Sequence, residues 1–150
     1  MADMRADQPA DEPVAFDEDG GCFGCSAHNP AGLRLRFRRR GELVVADCRL
    51  ADHFHGAPGV AHGGIVATLL DEISCAAAYF TRGRRVVTGE LSVRYRRPCP
   101  VESPLSLSAH VTDAQHPRYI VIAAEVRTGD EVLARSSGKF FFATDDVTAP

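Results

Sequence analysis

The sequence predicts an α+β domain in which a six-stranded antiparallel sheet wraps one long, central, buried helix. Three observations lead there. From Gly64 to about Phe80 the chain is apolar at helical spacing on nearly every face, the pattern of a helix enclosed by other structure. Six further stretches read as strands, two before the helix and four after it. Gly41-Glu42 and Gly129-Asp130 stand between neighbouring strands as tight turns.

Each element has its own justification. "LRLRFRRR", Leu33 to Arg40, alternates apolar and basic residues, as a strand with one buried face does. "LVVADCRL", Leu43 to Leu50, follows as its hairpin partner. "ADHFHGAPGVA" is a loop by its Gly, Pro and His content. In the helix, Ile65, Leu69, Ile73 and Ala76 form one stripe, and Val66, Leu70, Ala77 and Phe80 widen it. Gly83 ends it. The last four strands are "RVVTGELSVRYRR", "PLSLSAHVTD", "RYIVIAAEVR" and "VLARSSGKFFFAT". The open edges or outer face of such a sheet call for cover, which a partner subunit can supply.

Composition bounds the function. The chain has 150 residues, 45% hydrophobic and 25% charged, which suits one globular domain. A net charge of -3 gives no basic surplus for nucleic acid or an anionic membrane. Apolar runs fall short of the about 20 residues of a bilayer span. Residues 1–20 carry seven acids and one arginine and are expected to be a solvated, disordered tail, leaving 21–145 as the domain. "MADMRADQPADEP" has neither the basic start nor the apolar core of a secretory leader. Five cysteines, an odd number, are expected to be reduced thiols in a cytoplasmic chain.

The segment with the most chemistry is "HGGIVATLLDEI", His62 to Ile73. Two glycines open an apolar helix, and Asp71 and Glu72 then interrupt it. A charge at such a position must be solvated, paired or used.

"GVAHGGIVATLLDEI" followed by "VVTGELSVRYRRPCP" resembles the hotdog-fold acyl-CoA thioesterases of the phenylacetate-degradation (PaaI-like) type. The upstream "CFGCSAHNPAGL" is similar to the leader of one branch of that superfamily. The resemblance runs from about residue 22 to 142. It implies hydrolysis of an acyl-CoA thioester to free acid and CoA, with no cofactor, at a site shared by two subunits. It places the acid at Asp71 and the carbonyl-polarising amide at Gly63. Physical chemistry is compatible with this. A helix N-terminus exposes unpaired N–H groups and partial positive charge, suited to an oxyanion. Glycines at 63 and 64 let a substrate approach closely.

Asp71 lies about 13 Å along the helix from His62, whereas near-attack contacts are about 3–3.5 Å. If both ends serve one reaction, the acid must come from a second subunit whose helix runs antiparallel, so a homodimer, or a tetramer of paired dimers, is expected. Asp71 would act as general base or as nucleophile.

Other candidates are secondary. Thr88 matches a family position for a hydroxyl that orients the water or the acid. Simple alternation puts it with Glu90, Ser92 and Arg94, away from Leu91, Val93 and Tyr95, on a polar or interface face. His62 caps the helix or supports the thioester. With His53 and His55 it does not make a metal-ligand pattern, so no metal is expected. Cys22-x-x-Cys25 lacks a second pair and reads as structural. Arg34, Arg36 and Arg38 form an outward, solvated strand face. Arg96, Arg97 and Arg118 lie where the family holds the CoA nucleotide, and arginine suits phosphate. Two alternatives remain on this fold: a non-catalytic acyl-CoA binding or regulatory protein, and an enoyl-thioester hydratase or dehydratase. The second pairs a His with an acid at close range, and His62 and Asp71 are too far apart for that within one helix.

Overall fold

A computed structural model describes residues 11–16 and 20–144. Its elements are β1 (Glu12–Val14), β2 (Phe37–Arg40), β3 (Leu43–Arg49), α1 (Gly63–Arg82), β4 (Val86–Tyr95), β5 (Pro104–Asp113), β6 (Tyr119–Thr128) and β7 (Glu131–Phe142). The strands form one antiparallel sheet of order β1-β2-β3-β5-β6-β7-β4, with α1 packed on its inner face: the hotdog fold. Seven strands are present among the described residues, where the sequence predicts six. The extra one, β1, lies within the 1–20 stretch read as solvated tail, where Asp11 also bridges Arg38 and Arg40. The remainder of that expectation falls on residues 1–10 and 17–19, outside the described residues.

The long strand expected from Leu33 begins only at Phe37. Arg34 has φ 53, which breaks extended backbone. The N–H groups of Leu33 and Leu35 instead bond the carbonyls of Phe23 and Gly24. Alternation survives without the strand: Leu35 and Phe37 are buried, and Arg34 and Arg36 are exposed. Arg38 is not simply solvated, since it pairs with Asp11 and with Asp47 at 2.6 Å.

α1 is held by its apolar side. Val66, Leu69, Leu70, Ile73, Ala76, Ala77 and Ala78 are buried against the sheet. Ser74, also buried, satisfies its hydroxyl on the Leu70 carbonyl at 2.7 Å. Facing them are Leu105 and Leu107 of β5, Ile120 and Ile122 of β6 and Phe140 of β7, each at most 2% exposed. Gly83 closes the helix at φ 63, its N–H on the Tyr79 carbonyl. By length and composition α1 also passes as a membrane span, although no apolar run in the sequence is that long. Its buried face shows it serving here as a core helix.

The chain leaves α1 and lays β4 at the far side of the sheet, beside β7, as an edge strand. β4 contains a bulge: Thr88 pairs with Phe140 and Glu90 with Lys139, so Gly89 is the extra residue. A Cβ at Gly89 would meet the Phe141 ring at 2.3 Å. Past the bulge the alternation reverses. Thr88, Leu91, Val93 and Tyr95 stand opposite Phe140, Gly138, Ser136 and Ala134, all buried on the helix-facing side. Glu90, Ser92 and Arg94 face outward. This corrects the face expected for Thr88.

Gly89→Ala is expected to destabilise the fold by about 1–3 kcal/mol, because the Phe141 ring must move or the bulge must slip. Urea unfolding of wild type and variant measures it, and an unchanged midpoint would show that the bulge tolerates a side chain.

Candidate active site

The start of α1 is fixed by the loop before it. Ala61 N–H donates to the Cys99 carbonyl at 2.7 Å and His62 N–H to the Phe54 carbonyl at 2.9 Å. Asp52 N–H donates to Glu102 Oε1 at 2.7 Å. His62 is the N-cap. Its Nδ1 accepts from Gly64 N–H at 2.9 Å, and its carbonyl accepts from Ile65 and Val66 at 2.9 and 3.1 Å. Of the four N–H groups a helix leaves without intrahelical partners, three are therefore occupied, and that of Gly63 has no partner among the described residues. Gly64, expected to bind substrate, has its N–H committed to the cap. His62 thus presents Nδ1 as an acceptor, which leaves Nε2 to carry the proton of the neutral ring.

Tyr95 of β4 donates its hydroxyl to the Gly63 carbonyl at 2.6 Å. A Cβ on Gly63 would lie 3.6 Å from the Tyr95 hydroxyl, an ordinary contact, so within one chain Gly63 is not required by crowding. In the sequence, Tyr95 is marked only by its spacing of seven residues from Thr88. Its role depends on the helix-facing side of β4, which the Gly89 bulge sets.

Asp71 is half-buried two turns further along α1. Thr88 donates its hydroxyl to Asp71 Oδ1 at 2.6 Å. The bond fixes the carboxylate and leaves Oδ2 to act on another group. Cys75, one turn on, has its Sγ 3.8 Å from the Thr88 hydroxyl. Burial, and then the Asp71 charge, push the Cys75 thiol far up, so it stays protonated and is no nucleophile. Glu72 turns elsewhere: its Oε1 accepts from the Cys22 thiol at 3.4 Å. A Cβ at Gly24 would meet Glu72 Cγ at 2.1 Å. Asp71 and Glu72 thus serve different surroundings.

The expected residues therefore assemble into two groups. Gly63, His62 and Tyr95 gather at one end of β4, and Asp71 and Thr88 near the other, with Thr88 and Tyr95 roughly 20 Å apart along the strand and Gly63 and Asp71 about 12 Å apart along α1. The arginines divide likewise. Arg96 and Arg97 follow Tyr95, and Arg97 pairs with Glu131 at 2.7 Å. The Arg118 carbonyl accepts from Phe142, which stands opposite Val86 at the start of β4. The loop histidines have separate partners: the His53 ring lies tilted against Phe54, 4.2 Å between centroids, and His55 Nδ1 lies 2.6 Å from the Asp52 carbonyl. Away from these groups, Cys22, Cys25 and Glu72 each bring one donor atom within 4.8 Å of the others.

The family model of the thioesterase superfamily matches residues 58–135, a little over half of the chain. Acyl-coenzyme A thioesterase THEM5 of Mus musculus is 35% identical over 89 residues, covering 59% of this chain and 36% of that protein. The chain thus spans only about a third of that curated relative's length. Among solved structures, the thioesterase superfamily protein RHA08564 is 29% identical with a TM-score of 0.72, over 79% of this chain and 62% of that one. The phenylacetic acid degradation protein PaaI of Thermus thermophilus, at 20% identity, shares the fold, with a TM-score of 0.66 over 74% of this chain and 95% of its own. With a matching family model across its helix and the strands that carry the candidate site, the chain belongs to the thioesterase superfamily.

Proposed function

We propose that this protein hydrolyses acyl-CoA thioesters at two equivalent sites of a homodimer, each built from both subunits. The observation that carries the reading is the division of the polar groups along an exposed edge. β4 is ten residues long, ends the sheet, and leaves Val87 49% and Tyr95 52% exposed. Such an edge calls for a partner. A two-fold axis across β4 would pair its start with the partner's end. The Asp71–Thr88 group of one subunit then meets the Gly63–Tyr95 group of the other. Arg118 of one subunit approaches Arg96 and Arg97 of the other, bringing together phosphate-binding side chains that a single chain keeps apart.

In this reading the thioester carbonyl accepts from Gly63 N–H, where the helix partial charge favours the developing oxyanion. Tyr95 holds that peptide in place through its carbonyl. Asp71, oriented by Thr88, takes a proton from the attacking water, and the CoA thiolate leaves. The THEM5 relative, named as an acyl-coenzyme A thioesterase, supports the substrate class.

Asp71→Asn is expected to keep the fold and lower kcat by on the order of 10²–10⁴. The readout is free-thiol release from an acyl-CoA panel, with an enoyl-CoA hydration assay beside it. Near wild-type turnover would remove Asp71 from the mechanism. Tyr95→Phe deletes one hydrogen bond to the Gly63 peptide, so kcat should fall about tenfold with KM little changed.

Subunit sharing has its own test. Asp71→Asn and Gly63→Pro, each inactive alone, are mixed under conditions of subunit exchange, with circular dichroism confirming both folds. Random pairing should restore about a quarter of wild-type activity, since half the dimers are mixed and each has one intact site of two. No recovery despite proven exchange would overturn the composite site.

A further inference from the structure

The "CFGC" turn and Glu72 play no part in the chemistry above, yet they are built against one another. We propose that Cys22, Cys25 and Glu72 bind one zinc-class divalent cation per chain.

The three donor atoms, two sulfurs and a carboxylate oxygen, lie within 4.8 Å of one another. Zinc at its usual bond lengths to sulfur and oxygen holds tetrahedral donors roughly 3.5–3.8 Å apart. Cys22 Sγ and Glu72 Oε1 are already at 3.4 Å. Little movement is therefore needed to close three ligands on an ion, with solvent or an added ligand completing the tetrahedron. Two thiolates favour zinc over magnesium or calcium. On binding, each thiol gives up its proton to solvent as its sulfur bonds the metal.

The support around these atoms is rigid. Gly24 N–H donates to Cys22 Sγ at 3.2 Å, which holds that sulfur in place. Ser26 N–H closes the turn on the Cys22 carbonyl at 3.0 Å. The turn is tied to the chain beyond it through Leu33 and Leu35. Asn29 donates to the Gly21 carbonyl at 3.0 Å, fixing the other end. Glycine at 24 is the residue type that lets the Glu72 stem lie against the turn, since any Cβ would sit 2.1 Å from it. A Cys-x-x-Cys motif without a second pair thus acquires its third ligand from the middle of α1. The ion would clamp the 22–35 segment onto the helix beside Asp71.

The full chain, purified under reductant and stripped with chelator, is titrated with Zn²⁺ against a chromophoric competitor and separately with Co²⁺. The expected result is one equivalent per chain, a higher melting temperature with Zn²⁺, and a near-ultraviolet sulfur-to-cobalt charge-transfer band of two thiolates. Loss of a direct ligand should cost at least as much as loss of a supporting group. Cys22→Ser and Cys25→Ser should therefore weaken binding on the order of 100-fold, and Glu72→Gln about tenfold or more, while Cys48→Ser changes nothing. Absence of a tight equivalent in the wild-type protein overturns the proposal, as does a cobalt spectrum without thiolate bands. Because both are read on wild type, a variant that fails to fold cannot rescue it. Binding that survives Cys22→Ser and Cys25→Ser overturns it too.

Discussion

Because α1 satisfies its backbone internally and buries most of one side against the sheet, its two ends and its remaining face decide what the molecule can do. The apolar contacts with β5, β6 and β7 fix the helix in position and direction. Only then does its N-terminus become a definite place, with three early N–H groups consumed by His62 and one, that of Gly63, without a partner among the described residues. The same packing sends Asp71 out toward the β4 edge and Glu72 toward the "CFGC" turn. Two adjacent acids on one helix thus enter different environments without any special device.

β4 turns this geometry into a candidate site. It is the edge strand, and its bulge at Gly89 changes which side chains look at the helix. Without the extra residue, Thr88 and Tyr95 would lie on opposite faces. With it, Thr88 reaches Asp71 and Tyr95 reaches Gly63, each at 2.6 Å. Bulges near functional sites often re-aim a side chain, and this one lets a single strand support both groups on the helix. The Phe141 ring lies over Gly89, so a side chain there would require the ring or the bulge to shift.

The apolar periodicity of residues 64–80, the turn glycines and the strand stretches determined the α+β class, the helix and most strands. These are local signals: side-chain period and backbone permissiveness act within a few residues of themselves. The separation of Gly63 from Asp71 was equally legible, since helical rise is a constant. Strand order was not, because nothing local says that β4 crosses to pair with β7. Nor were β1, the late start of β2, or the phase of β4. A one-residue bulge inverts every later side chain while leaving the sequence pattern looking regular, so simple alternation groups Thr88 with Glu90, Ser92 and Arg94, whereas the fold groups it with Leu91, Val93 and Tyr95. Pairing Cys22 and Cys25 with Glu72, fifty residues away from Cys22, likewise needs the packed helix. Local sequence specified which residues carry chemistry. The tertiary structure decided which of them meet, because contact between distant segments depends on how helix and sheet share one core.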